Sequence, residues 1–254
     1  MKIWLNDSLV EASKVELSHG GWPLGEGIFE TIKTINGRPI LLSRHMRRAL
    51  GSGRRIRVKV AHESLVRVAV QELLDSEPHI SGRLRLLFSN KEFIATHHAY
   101  EEQSKSADVM IVKSSAHISG LKDKTFPYTS RLELLSQARD RAFDEVLCIR
   151  ADGQLTEGAV SNFIFRIAGQ WVTPPISVGI LPGVTRALVI ENFAIQVRPV
   201  AQGELAAIDA SFALSSLKIT QPVRSIAGRN LLMDEESISM GLKIREIVLA
   251  HSVD

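Results

Sequence analysis

"GILPGVTRAL", Gly179 to Leu188, sets Pro182 and Gly183 directly ahead of Val184, Thr185 and Arg186, and Ala187, Leu188, Val189, Ile190 and Phe193 continue as an apolar helical face. A helix amino terminus exposes unpaired N–H groups and the positive end of its dipole, and glycine lets a ligand approach the backbone. Two readings fit the stretch alone. It is a cup for an anion, most naturally a phosphate, or Pro182 and Gly183 shape a turn and Thr185 caps the helix.

Working outward, 254 residues with 44% hydrophobic content can bury a sizeable core, as one large domain or two modest ones. No apolar stretch reaches the roughly 18 residues of a membrane span, and "MKIWLNDSLVEASK" lacks the pattern of a secretory signal, so a cytoplasmic, membrane-free protein is expected. The single cysteine, Cys148, excludes an intrachain disulfide. No His/carboxylate spacing supports a metal site. Net charge is +3, but "RHMRRALGSGRRIRVKV" holds seven Arg or Lys between Arg44 and Lys59. That run is a solvated surface or, in a remote reading, a polyanion-binding face, although the net charge does not point to nucleic acid.

The first fifty residues read as a meander, with "KIWLND" and "SLVEA", then "GIFETIKTI" and "RPILLS" across the turn "NGR", followed by a helix from His45 to Leu50. A helix over "HESLVRVAVQELLDS" and strands "GRLRLLFS" and "DVMIVKSSA" follow, with a polar tract "HHAYEEQSKS" between those strands. His97 and His98 in that tract are expected to be solvated, or to reach substrate. The aperiodic "HISGLKDKTFPYTS" marks a linker, giving a smaller amino-terminal domain, 1–117, and a larger carboxy-terminal one, 118–254. The second half restarts with the helix "SRLELLSQARDRA", strands "EVLCIR", "SNFIFRI" and "QWVTPP", the helix after Gly183, the strand "SFALSS" and a closing helix near "GLKIREIVLA". The expected class is α+β, with largely antiparallel sheets in each half.

Other pieces complement the cup. "LTEGAVSNFIF" places Glu157 between two strands, "GLKDKTFPYTS" offers Lys122 and Lys124 before a helix, and "FALSSLKITQPV" offers Ser215 and Ser216 at a strand end. Lysine, carboxylate, phosphate cup and hydroxyls are the inventory of a pyridoxal phosphate site.

In these motifs, from "GEGIFETIKTINGRPILLSRHMRRAL" through "LTEGAVSNFIF" and "GILPGVTRALV" to "ALSSLKITQPV", the chain resembles the class IV aminotransferases, over nearly its whole length. These fold-type-IV pyridoxal phosphate enzymes include D-amino acid and branched-chain aminotransferases and aminodeoxychorismate lyases. The resemblance implies the two-domain fold of the D-amino acid aminotransferases, a homodimer and a small amino substrate. It implies that Lys124 carries the cofactor and acts as general base, because the spacing from Lys124 to Asp144, Glu145 and Glu157 needs no gap; Lys122 is the rival. Glu157 then faces the ring nitrogen, Arg48, Val184, Thr185, Ser216 and Ser215 hold the phosphate, and Tyr128 either donates to the phenolic oxygen or packs.

Three departures narrow the resemblance. Pro127 replaces the family's frequent Asn. Ser89, Asn90 and Lys91 stand where many aminotransferases carry Arg-Gly, and "FET", Phe29 to Thr31, replaces the branched-chain enzymes' "FEG". With "LLSRHMRR", these point to a 4-amino-4-deoxychorismate lyase ahead of a D-amino acid or branched-chain aminotransferase. Thr31 and Lys218 are the substrate-side candidates. On an extended segment Lys218 would project with Ser216 and meet a substrate carboxylate, the alternative being an exposed lysine, with Arg83 and Arg85 next in line.

Overall fold

The computed structural model describes residues 1–18, 21–102, 105–113 and 122–251. Its elements are β1 (Lys2–Leu5), β2 (Ser8–Glu11), β3 (Gly27–Ile35), β4 (Arg38–Pro39), α1 (Leu42–Ile56), α2 (Glu63–Ser76), β5 (Ser81–Phe88), β6 (Phe93–Ala99), β7 (Ala107–Lys113), β8 (Thr125–Phe126), α3 (Thr129–Arg139), β9 (Glu145–Ile149), β10 (Asn162–Ile167), β11 (Gln170–Thr173), α4 (Val184–Asn192), β12 (Ile195–Val197), β13 (Ile208–Ser215), β14 (Ile219–Ile226), β15 (Arg229–Asn230) and α5 (Glu235–Ala250). Two compact units result, one of residues 1–102, 123–128 and 249–254, the other of 103–122 and 129–248. The boundary expected at 117/118 lies outside the described residues.

In the first unit the strand order is β2-β1-β6-β5-β3-β4, with β8 beside β3, and every pairing is antiparallel. Side chains alternate across a strand, so Ile28 and Ile32 of β3 fall on one face. There they join Leu42, Met46 and Ala49 of α1 and Val66, Val70 and Leu73 of α2 in one buried core. Each such aliphatic side chain contributes about 1.5–3 kcal/mol when fully buried, enough to hold both helices on the sheet. Phe29, Leu87 and Ile94 line the opposite face with Trp22 and Phe126.

Two local expectations change here. "RPILLS" is not a strand: β4 stops at Pro39, Leu41 turns the chain through φ 59°, and α1 already begins at Leu42 and runs to Ile56. The run Ile40 to Leu42 reads as extended, but Leu42, Met46 and Ala49 carry the helical spacing that wins. "HHAYEEQSKS" is not wholly a polar loop either, since β6 includes His97 and His98. His97 is buried, with Nδ1 donating to the Glu77 carbonyl (2.8 Å) and Nε2 accepting from the Thr34 hydroxyl (2.7 Å). Gly82 makes room, because a Cβ there would meet His97 Nε2 at 2.1 Å.

The second unit's sheet runs β12-β11-β10-β13-β14-β7-β9, with β15 on β14. The expected antiparallel character holds only at its centre: β11 with β12, β14 with β7, and β7 with β9 are parallel. The cause is connectivity. α4 lies between β11 and β12, α3 lies on the path from β7 to β9, and a helical crossover returns the chain in the same direction, while β14 and β7 meet from distant parts of the chain. Thus "DVMIVK", Asp108 to Lys113, belongs to the second sheet, the rest of "DVMIVKSSA" lying outside the described residues, and "EVLCIR" and "SNFIFRI", consecutive along the chain, do not pair with each other.

Candidate active site

Glu157 lies at the end of the loop leaving β9, held in place by backbone as well as side chains. The Cys148 N–H donates to the Glu157 carbonyl (3.1 Å) and the Gly158 N–H to the Ser161 carbonyl (2.7 Å). Behind the turn stands Glu145, fully buried, whose carboxylate accepts from the N–H groups of Val146 (3.1 Å) and Ala159 (2.9 Å) and from Ser161 Oγ (2.8 Å). Gly158 permits that approach, since a Cβ would sit 2.9 Å from the Glu145 carboxyl carbon.

The Glu157 carboxylate is 5% exposed and richly bonded. Oε1 accepts from Lys122 Nζ (2.6 Å) and Arg131 Nη2 (3.0 Å), Oε2 from the Leu181 N–H (2.8 Å) and Asn162 Nδ2 (3.2 Å). Asn162 also donates to the Leu181 carbonyl (3.1 Å). Leu181 and Asn162 thus tie Glu157 to the start of α4, where Gly183 is the residue before the helix and has no side-chain cap. A Cβ on Gly183 would meet Asn162 Oδ1 at 1.9 Å.

Thr185 decides between the two readings of "PGVTR". Its hydroxyl is buried and, among the described residues, has no hydrogen-bond partner, so it does not cap the helix. A buried hydroxyl without a partner costs roughly 1–3 kcal/mol, and such groups call for a ligand or another explanation. With the N–H groups of a helix start beside it, the cup fits a phosphate, and Glu157 on the same framework fits a ring N–H. Arg186, also buried, reaches Thr173 Oγ1 (3.1 Å) and the Pro174 carbonyl (2.6 Å); burial lowers its guanidinium to about 10, against the pull of Glu157.

Ser215 ends β13, whose Leu214 lies opposite Asn162. Its Oγ accepts from the Lys218 N–H (3.2 Å). Residues 216–218 form a turn and Ile219 has φ 61°, so the extended geometry that aimed Lys218 alongside Ser216 does not hold. The Lys218 ammonium is lowered by burial, with Glu145 and Asp144 opposing.

In the first unit, Lys124 Nζ sits over the rings of Phe29 (4.4 Å to centroid) and Tyr128 (4.9 Å), the two rings meeting edge to face at 5.0 Å. Arg48 is fixed by Glu30, through Nε to Oε1 (2.8 Å) and Nη2 to Oε2 (2.5 Å), and His45 Nδ1 lies 2.6 Å from Oε2. Burial pushes the Glu30 carboxyl up, but Arg48 and His45 outweigh it and hold it at about 2. The His45 imidazole is lowered, by burial first, with Glu30 opposing. Sequence reasoning missed Glu30, although strand alternation already placed an acid on the same face as Ile28 and Ile32.

Thr31, Arg85 and Thr96 form one row across the sheet, and Lys33, Arg83 and His98 the next. Arg85 lies over Trp22 (4.4 Å), its Nε is buried without a partner, and no carboxylate pairs with it among the described residues. Burial, with Arg83 beside it, lowers its guanidinium to about 10.

The amino-transferase class IV family model matches residues 27–226. The D-alanine aminotransferase of Bacillus licheniformis is 24% identical over 256 residues, covering 91% of this chain and 90% of that one. The aminodeoxychorismate lyase of Bacillus subtilis (strain 168) is 23% identical over 215 residues, 75% of this chain and 73% of that one. Among solved structures, a hypothetical aminotransferase from Mycobacterium tuberculosis in its PLP-bound form superposes with a TM-score of 0.86 at 18% identity, covering 98% and 99% of the two chains.

Proposed function

The chain belongs to the amino-transferase class IV family, whose enzymes use pyridoxal phosphate, and from that premise we propose that it is a 4-amino-4-deoxychorismate lyase, releasing pyruvate and forming 4-aminobenzoate for folate synthesis. The bound cofactor supplies an aldehyde to capture the substrate amine and an electron-withdrawing ring. Thr185, the helix N–H groups at Val184, and Ser215 and Ser216 bind the phosphate. Arg48, held by Glu30 through Nε and Nη2, would add its guanidinium to the same phosphate. Glu157 accepts a hydrogen bond from the ring nitrogen and keeps it protonated. Lys124 carries the cofactor, then moves a proton at the carbon bearing nitrogen. Tyr128 donates to the phenolic oxygen.

Arg85 carries the choice of substrate. A half-buried guanidinium whose Nε is buried without a partner, and with no carboxylate beside it among the described residues, suits an anion, and aminodeoxychorismate brings two carboxylates, whereas D-alanine and branched side chains have no second anionic group. Thr31 stands opposite it on the neighbouring strand. A transaminase is the second reading, favoured by the D-alanine aminotransferase relative that spans 91% of the chain. There Arg85 would hold the far carboxylate of a dicarboxylic acceptor. The purified enzyme given aminodeoxychorismate should release pyruvate; keto-acid formation from amino acids, with no pyruvate from aminodeoxychorismate, would overturn the lyase.

A homodimer belongs to the same reading, since twofold dimers are the commonest closed assembly, and light scattering tests it. No helix among the described residues is long and apolar enough to cross a membrane.

A further inference from the structure

Lys122 is the lysine that the spacing argument sets aside, and it lies on the carboxylate assigned to the ring nitrogen. A carboxylate offers about four lone-pair sites. Glu157 already receives Lys122 and Arg131 on Oε1 and Leu181 N–H and Asn162 on Oε2. A ring N–H therefore gains Glu157 only by exchange with one of these donors.

Three of the four are tied elsewhere. The Leu181 donor is backbone, Asn162 also bonds the Leu181 carbonyl, and Arg131 also bonds the Gly158 carbonyl (3.1 Å) from α3. Lys122 Nζ has Glu157 as its one hydrogen-bond partner among the described residues, and its stem leaves a stretch, 122–124, with no regular structure. It is the donor that can swing away at least cost, on a flexible four-carbon chain. Charge favours the same exchange. Two cations already face one carboxylate in a nearly buried cluster, so adding a pyridinium to both would place three positive groups around a single negative one, whereas replacing Lys122 leaves the local charge unchanged.

We propose that Lys122 is an exchangeable placeholder on Glu157: it competes with the cofactor's ring nitrogen for Oε1, so that cofactor uptake is coupled to release of this lysine. The inference rests on the assignment of Glu157 to the ring nitrogen. Lys122 is then a positioning residue, orienting Glu157, and not a second attachment point.

Pyridoxamine phosphate is the suitable probe because, as an amine, it forms no bond to Lys124 or Lys122. Followed by fluorescence quenching, Lys122→Met should bind it about tenfold or more tightly than the wild type, the scale set by losing one charge-assisted hydrogen bond as competitor. A residue that merely braced the loop would weaken binding on removal. Lys122→Gln, which keeps a neutral donor, should fall between the two. In a Glu157→Gln background the Lys122→Met effect should vanish, because the contested charge is gone. Unchanged or weaker binding in Lys122→Met, or equal tightening in both backgrounds, overturns the exchange. Failure of the wild type to take up the probe would overturn the site assignment itself, and this inference with it.

Discussion

Thr185→Val tests the phosphate cup most sharply, because the structure assigns opposite signs to stability and to binding. The side chain is 2% exposed and its hydroxyl has no partner among the described residues, so the folded chain carries a desolvated donor and acceptor that contribute nothing. An unsatisfied hydroxyl of this kind costs roughly 1–3 kcal/mol. Valine keeps the shape, has a helix propensity close to that of threonine, and removes the polar atom. Thr185→Val should therefore be as stable as the parent or more stable by about 1 kcal/mol, which for a domain of this size raises Tm by about 2–4 °C. Binding should move the other way. A hydroxyl donating to a phosphate oxygen is charge-assisted, worth about 1.5–3 kcal/mol, so pyridoxamine phosphate should bind roughly ten- to a hundredfold more weakly. Urea unfolding and a fluorescence titration on the same preparation supply both numbers. A variant more than about 1 kcal/mol less stable would mean that the hydroxyl has a structural partner after all. Unchanged affinity would remove Thr185 from the phosphate site.

Gly183→Ala should bring a Cβ against Asn162 Oδ1, push that amide off Glu157 and Leu181, and lower stability by about 1–3 kcal/mol together with cofactor affinity; a neutral outcome in both measurements contradicts the coupling of cup and carboxylate. Glu30 gives an acid signature: its carboxyl is held at about 2, below the ordinary 4.5, so its contribution is complete above pH 4.5 and lost as pH falls through 2. Glu30→Gln should be less stable at pH 7, yet lose on the order of 3 kcal/mol less than wild type between pH 5 and pH 2 in urea titrations; parallel curves refute the assignment. Peptide mapping after borohydride reduction of the holoenzyme should find the pyridoxyl group on Lys124, and Lys124→Ala should abolish turnover while Lys122→Ala stays active; a label on Lys122 would falsify the assignment.

How far the sequence carries the fold depends on where the deciding information lies. Strands with alternating patterns, β1, β3 and β5, and helices with apolar stripes, α2 and α5, are legible because side-chain period alone distinguishes them. The parallel pairings of β7 with β9 and β14 are not, since whether a helix is a crossover or a hairpin partner depends on where the chain returns, which no local pattern records. His97 and His98 read as solvated because two histidines beside "AYEE" look polar. The burial of His97 depends on the Thr34 hydroxyl, the Glu77 carbonyl and the missing side chain of Gly82, all distant along the chain, while His98 is half-buried.

The site divides along the same line. Glu157 and the cup announce themselves through motifs because each relies on backbone geometry encoded within a few residues. Their connection through Asn162 and Leu181 is visible only once strand and helix start are brought together. Lys218 shows the opposite failure: its role was drawn from a two-residue spacing that assumed an extended chain, and the turn at 216–218 removes that premise. Arg85 replaces it on a different kind of evidence. A row of Thr31, Arg85 and Thr96 beside one of Lys33, Arg83 and His98 is an expensive way to build a sheet face, with like charges on neighbouring positions and a half-buried guanidinium whose Nε lacks a partner. Arg85 stacks on Trp22 yet keeps its Nε unsatisfied, whereas His97, equally unusual by sequence, has both ring nitrogens satisfied. That contrast marks His97 as part of the framework and Arg85 as a group awaiting an anion. Arg85→Leu should then raise the Michaelis constant for a doubly anionic substrate roughly ten- to a hundredfold while leaving pyridoxamine phosphate affinity unchanged, and an unaltered Michaelis constant in a folded variant would return Arg85 to the framework as well.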